Sequence, residues 1–347
     1  MLPKIPEKAK KPGVFYAFTE EGVELPVIDI THPAFALAEP GAEEANAMAK
    51  KAEADQEKHN RLPALVRKTM LWFMSGKSVL MRGLLGASGG FLSSMTTYLM
   101  KLGPDNLGQR YAGKIDRAIA ASLPAFSARL RLQDTARLLA DGIAPWLAAQ
   151  PKRDLHFVNI AGGPCLDDLN ALLLLRRDQY ERIANRRIII HVLDLESAGP
   201  LFGGRALEAL LAPGAPLAGL KIEMEYIPYN WSQPEKLPGC LNGIDMGRAV
   251  VGVSSEGGLF NYGTDAEIAG NLKALHALTP PETVLVGTLT PKFRPGQAFN
   301  TMSGLQTIPR ELDEFEHLAG QSGWKVADSK RYLMNCVVSM QKTEWRA

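Results

Sequence analysis

The residues best suited to ligand chemistry lie at the ends of two apolar runs. Leu155–Ile160 is followed at once by Ala161-Gly162-Gly163-Pro164, and then by an apolar run that opens with acids, Leu166-Asp167-Asp168. Glycines lack a Cβ, so the backbone at Gly162 and Gly163 can come close to a ligand, and the N-terminus of a following helix offers unpaired N–H groups. The second run, Ile188–Asp194, ends in an acid. A carboxylate at the end of a second strand is placed to accept hydrogen bonds from two ribose hydroxyls. Strand, glycine turn, helix, strand and acid together make one adenosine-binding half. The structural alternatives are an ordinary strand-to-helix turn and, for Asp194, a helix cap.

Two further strand ends belong to the same edge. Ser254-Ser255-Glu256 closes the run Ala249–Ser254 and leads through Gly257-Gly258 to Tyr262, while Tyr229-Asn230-Trp231 follows Leu220–Pro228. Ligands of open α/β sheets bind outside the carboxyl ends of the strands, which brings these ends to one crevice. There Glu256 can serve as a base or be a solvated loop acid, and Tyr262 can hydrogen-bond a substrate or pack. An aromatic beside Asn230 can lie against a purine, although aromatics at strand ends are more often core.

These residues need a scaffold, and from Leu155 onward the pattern alternates strands with helices, as in a largely parallel sheet covered on both faces. Strands are expected at Leu155–Ile160, Ile188–Asp194, Leu220–Pro228, Ala249–Ser254 and Thr283–Leu289. Helices fit Leu166–Tyr180, Leu201–Leu211, Thr264–Leu278 and Pro309–Gln321. Trp324–Ala327 and Tyr332–Lys342, flanking Asp328-Ser329-Lys330-Arg331, predict a terminal hairpin. Prolines and glycines between Trp231 and Gly247 argue against a normal helix there. The earlier part reads as mainly helical, with helices at Ala42–Asn60, Leu62–Phe73, Ile115–Leu123 and Leu130–Leu147. Val14–Ile30 reads as a small hairpin or arm, and residues 75–97 as a flexible segment with glycines and serines. The division expected is a helical cover or dimerisation region at 1–129 and an α/β domain at 130–347.

Composition narrows the function classes. A net charge of +2 in 347 residues gives no broad pull toward nucleic acid. Cys165, Cys240 and Cys336 show no metal spacing and suggest reduced thiols in a cytoplasmic protein. Of the six histidines none pairs at ligand spacing, so no metal is assigned; His156 and His191 lie in expected buried strands. His32 and His59 are the histidines from the earlier part available as a general base. Ser78–Met100 is broken by Arg82, glycines and hydroxyls and does not read as a membrane span.

Across about residues 130–342 the chain resembles a class I S-adenosylmethionine-dependent methyltransferase. The likeness rests on the glycine turn in Asn159-Ile160-Ala161-Gly162-Gly163-Pro164, on Asp194, and on the closing hairpin. Asn159 stands where that family usually has the first acid of the turn. The resemblance implies an α/β, Rossmann-like, mostly parallel seven-stranded sheet with an antiparallel C-terminal hairpin, beside a mainly helical N-terminal part. It implies S-adenosyl-L-methionine as cofactor, held by Asn159, Ala161, Gly162, Gly163, Asp194, Leu195, Asn230, Ser254 and Ser255. Glu256-Gly257-Gly258-Leu259-Phe260-Asn261-Tyr262 is similar to a Glu-Gly-x-x-x-Tyr stretch of leucine-carboxyl-methyltransferase-like enzymes, which tilts the acceptor toward oxygen; Glu256 and Tyr262, at the end of strand four, are the candidate catalytic residues. The expected substrate is a small, partly apolar molecule bound under the helical part, with nucleic acid and membrane excluded as partners and a homodimer compatible with the arm. Two other readings use the same turn: a nicotinamide-dependent oxidoreductase, and a non-catalytic protein of the methyltransferase fold.

Overall fold

The computed structural model describes residues 4–61, 63–86, 90–108, 111, 113–293, 300 and 303–343. A short antiparallel pair, β1 (Tyr16–Phe18) and β2 (Glu24–Pro26), opens the chain and forms the expected hairpin. The helices α1 (Ala42–Asn60), α2 (Ala64–Lys77), α3 (Val79–Leu85), α4 (Ser94–Leu102), α5 (Lys114–Ala120) and α6 (Leu123–Ala149) follow. The segment 75–97, expected to be flexible, therefore contains parts of three helices. Ser78 and Ser93 explain two of their starts, because each hydroxyl accepts from an N–H of the first turn. No described helix is long and apolar enough to cross a membrane.

The remaining strands are β3 (Asp154–Ile160), β4 (Arg187–Asp194), β5 (Lys221–Pro228), β6 (Ala249–Ser255), β7 (Val284–Leu289), β8 (Trp324–Arg331) and β9 (Cys336–Lys342). They form one seven-stranded sheet in the order β5-β4-β3-β6-β7-β9-β8. Neighbours from β5 to β7 are parallel, and β9 inserts antiparallel between β7 and β8. This is the Rossmann-like α/β sheet with an antiparallel C-terminal hairpin. A dinucleotide-binding sheet of order 3-2-1-4-5-6 has no such insertion. The hairpin turn lies at residues 332–335, where Tyr332 N–H donates to Asn335 O, and not at Asp328–Arg331. Those four polar residues belong instead to β8, the edge strand, whose outer side faces water and so tolerates charge.

Side-chain alternation splits the apolar residues between two cores. Leu155 and Phe157 of β3, with Ile188, Ile190 and Val192 of β4, face α6, α7 (Leu166–Asp178) and α8 (Ala198–Leu211). Val158, Ile160 and Leu193 face the other way, toward Leu259 and Phe260 of α10 (Leu259–Tyr262, numbered after the short α9 at Leu237–Cys240), α11 (Asp265–Leu278) and the helix Leu312–Gly320. The first core runs without a break into the earlier part of the chain through Leu25, Val27, Leu80, Leu84 and Tyr98. The 27-residue α6 spans position 130 and packs on β6, β7 and β9. Gly252 lets it come close, since a Cβ there would stand 3.1 Å from Leu139 of α6.

Candidate functional site

A cavity of about 280 Å³ opens at the carboxyl edge of β3, β4 and β6. The glycine turn forms one wall. Ala161 and Gly163 sit at φ +57° and +58°, and Cys165, just before α7, at +58°. Two non-glycine residues in the left-handed region are a local cost that the packing around them must offset. Gly162 has no room for a Cβ because the Asn159 side chain fills that space, and a Cβ on Gly163 would come within 2.7 Å of Ser94 Cβ. The first turn of α4 thus rests directly on the glycine turn, and Ser94 N–H donates to Glu196 at 3.2 Å.

Asp194 ends β4 beside this turn. Its two oxygens accept from Gly163 N–H (3.0 Å) and Glu196 N–H (2.9 Å), which ties strand four to the turn and leaves further lone pairs for a ligand. Burial pushes its carboxyl up, and these two backbone donors pull it back. Ala161, Gly162, Gly163, Asp194, Leu195, Glu256 and Tyr262 all line the cavity. Asn159, Asn230, Ser254 and Ser255 do not.

Asn159 and Ser254 lie side by side in the β3–β6 register, beneath the turn. The Asn159 amide donates to Asp167 (2.9 Å), Asp168 (2.8 Å) and Ser254 Oγ (2.9 Å), and the Cys165 thiol donates to Asp168. Burial, then the neighbouring charge of Glu256, raises Asp167 to about 6. Burial and Asp167 raise Asp168 well above the carboxylate range. Hydrogen bonds from Asn159 and Cys165 hold this cluster together, and it braces the turn from behind. Ser255 acts in the same way: its hydroxyl accepts from Leu259 N–H and donates to Ile160 O. Asn230 Oδ1 accepts from Ser232 N–H and shapes the loop after β5.

Glu256 occupies the floor. Its side chain is 1% exposed and is clasped by Lys101 of α4 on one oxygen and by Arg131 of α6 on the other. Burial opposes its charge, but Arg131 and Lys101 outweigh burial and keep the carboxyl below its usual range. Burial likewise lowers Lys101, against the pull of Glu256. Neither cation stood out in the sequence, since a single Lys and a single Arg on separate helices look like solvated charges. Tyr262 is pushed up by burial and stacks edge-on to Phe91, with centroids 4.9 Å apart, and Phe91 in turn meets Trp231 at 5.5 Å. These three rings make the apolar wall.

No described histidine lines the cavity. His32 holds Pro12 O, and the side chain of His59 lies outside the described residues. His156 and His191 sit toward the middle of the sheet, bonded to each other at 2.9 Å.

No family model and no curated protein matches the chain. Among solved structures, a possible exported protein from Bordetella parapertussis is 17% identical, with a TM-score of 0.53 over 88% of this chain and 97% of that one. LepI C52A, solved in complex with S-adenosylhomocysteine and a substrate analogue, is 15% identical, with a TM-score of 0.44 over 90% and 97% of the two chains. An O-methyltransferase family 2 protein from Planctomyces limnophilus, in complex with apigenin, is 12% identical, with a TM-score of 0.36 over 69% and 72%. The first likeness shows a shared fold.

Proposed function

We propose that this chain is an S-adenosylmethionine-dependent methyltransferase that alkylates an oxygen of a small molecule. One observation carries the reading: the glycine turn and Asp194 face the same cavity as an aromatic wall and a buried ion-pair floor. The residues present suit the cofactor. Gly162 and Gly163 leave backbone free of side chains, Asp194 keeps lone pairs for ribose hydroxyls, and Leu195 offers apolar surface to a base. When bound, S-adenosylmethionine, held by the glycine turn and Asp194, would supply an electrophilic methyl group on a positive sulfur for transfer to the acceptor oxygen.

The chain's own part is positioning. In-line approach of the acceptor is the main requirement, and a base is needed only for an un-ionised nucleophile. Glu256, held as a carboxylate by two cations, anchors Lys101 and Arg131 instead of taking a proton. Tyr262, kept as a neutral phenol by burial, packs in the wall and orients the acceptor. Asn159, Ser254 and Ser255 support the turn from behind. The part before residue 130 supplies the cover through Phe91, Ser94, Thr97 and Lys101. A cytoplasmic location and a homodimer belong to the same reading, the first supported by three free cysteines and the second by the exposed Trp72 and Phe73 of α2.

Calorimetric titration with S-adenosylhomocysteine tests the reading. Binding to the wild type that weakens in Asp194→Ala is expected; no heat of binding to the wild type overturns it.

A further inference from the structure

Resting on the methyl-transfer reading, we infer that the guanidinium fork of Arg131 is a receptor for a carboxylate on the methyl acceptor, so that the substrate class is a small aromatic acid bearing a hydroxyl group. Arg131 lines the cavity, and its Nε donates to Glu256 Oε1 at 2.5 Å. Among the described residues no acceptor is hydrogen-bonded to Nη1 or Nη2. A guanidinium carries five donors in a planar array that matches a carboxylate, and one bond uses only the inner edge.

The surroundings leave this fork short of negative charge. Glu256 divides its two oxygens between Arg131 and Lys101, and Lys101 also lies near Asp167, the next acid inward. One carboxylate thus serves a buried lysine and a partly buried arginine, and among the described residues the outer edge of Arg131 has no acid of its own. Its place against the loop after β6 depends on a glycine. Gly257 has φ +81°, and a Cβ there would stand 2.6 Å from Nη2. The loop Glu256-Gly257-Gly258 therefore seats the guanidinium as well as its counter-ion.

The rest of the chamber fits the remainder of such a molecule. Phe91, Trp231 and Tyr262 offer ring faces and edges, and the charge of Arg131 reaches Tyr262, which places the fork beside the aromatic wall. Asn335, 3% exposed, also lines the cavity; its amide nitrogen is bonded to Ser127, while its Oδ1 has no partner among the described residues. Pairing with arginine lowers the nucleophilicity of the carboxylate, so the carboxylate is the anchor and the hydroxyl oxygen takes the methyl.

A carboxylate is also present on the amino-acid end of the cofactor, and the experiment separates the two sources. Calorimetry would compare 3- and 4-hydroxybenzoate with phenol, on wild type saturated with S-adenosylhomocysteine, and would compare S-adenosylhomocysteine with 5′-methylthioadenosine, which lacks the amino-acid end. In the wild type at least one hydroxybenzoate binds at least about 30-fold more tightly than phenol, and Arg131→Gln abolishes that preference without changing S-adenosylhomocysteine affinity. Arg131→Lys, which keeps a positive charge on Glu256 but loses the fork, retains only part of the preference. Equal affinity of wild type for the hydroxybenzoates and phenol, or no binding of either, overturns the inference. So does an Arg131→Gln variant that loses S-adenosylhomocysteine but not 5′-methylthioadenosine, since the fork would then hold the cofactor. If the wild type binds no S-adenosylhomocysteine, methyl transfer falls, and the same hydroxybenzoate–phenol comparison on the chain alone still decides the carboxylate receptor.

Discussion

Two clusters of ionisable groups, each built around a buried member at the same sheet, behave differently. Near the middle of β3, β4 and β5, His156, His191 and Glu225 form a row on one face: His156 Nδ1 bonds His191 Nε2, His191 Nδ1 bonds Glu225, and Glu225 reaches water. The row is closed by its own hydrogen bonds. Burial, then the neighbouring ring of His191, pushes His156 down to about 4, so that it stays neutral at physiological pH. At the carboxyl edge, Lys101, Arg131 and Glu256 come from α4, α6 and the end of β6, and their pairing leaves part of Arg131 unsatisfied and facing a cavity. A polar group that satisfies itself is structure, whereas one held by three distant segments and left open is poised for a ligand.

The sharpest test of this contrast is Glu256→Gln. Removing one member of a buried ion pair leaves uncompensated charge, and the loss expected is about 3–5 kcal/mol, read from urea unfolding. His156→Gln keeps a hydrogen-bonding side chain in a neutral row, so less than about 1.5 kcal/mol is expected and binding of S-adenosylhomocysteine should not change. Similar losses for both variants would remove the distinction.

Gly163→Ala probes the glycine turn that forms one wall of the cavity. Alanine would take on a positive φ and meet Ser94, costing about 1–3 kcal/mol and displacing α4 from the turn. Limited proteolysis within α4 should become faster in this variant.

The last test concerns pH. Burial, and then the charge of Glu256, raise the Asp167 carboxyl in the folded state to about 6, from about 4 for an ordinary aspartate. The folded state therefore binds the proton more tightly, and this group's contribution to stability is full below about 4 and lost as pH rises through about 6. Asp167→Asn should flatten that slope in unfolding midpoints measured between pH 4 and 7. An unchanged slope would mean that Asp168 and Cys165 carry the proton instead.

Much of this architecture was legible in order along the chain. Apolar runs separated by turn residues marked β3, β4, β6 and β7 closely, because a parallel sheet buried on both faces needs continuous apolar strands, while β5, at the sheet edge, alternates charged and apolar residues. The terminal hairpin was legible too, but its turn was misplaced: Asp328-Ser329-Lys330-Arg331 has turn-like composition, yet on an edge strand one side is wet and polar residues fit. The helices within residues 75–97 were hidden because serine and glycine read as loop formers, while Ser78 and Ser93 are helix caps.

Local sequence determined the glycine turn, the acid that follows the second strand and the alternation that builds the sheet, since each depends on backbone geometry within a few residues. The partnership of Lys101 and Arg131 with Glu256, 155 and 125 residues away in sequence, was decided only by packing. So was the support of the turn by Asn159, Asp167 and Asp168, which needs two strands and a helix in register. Charges on separate helices carry no mutual signal along a chain. They acquire one when a shared core removes water and forces them to answer one another.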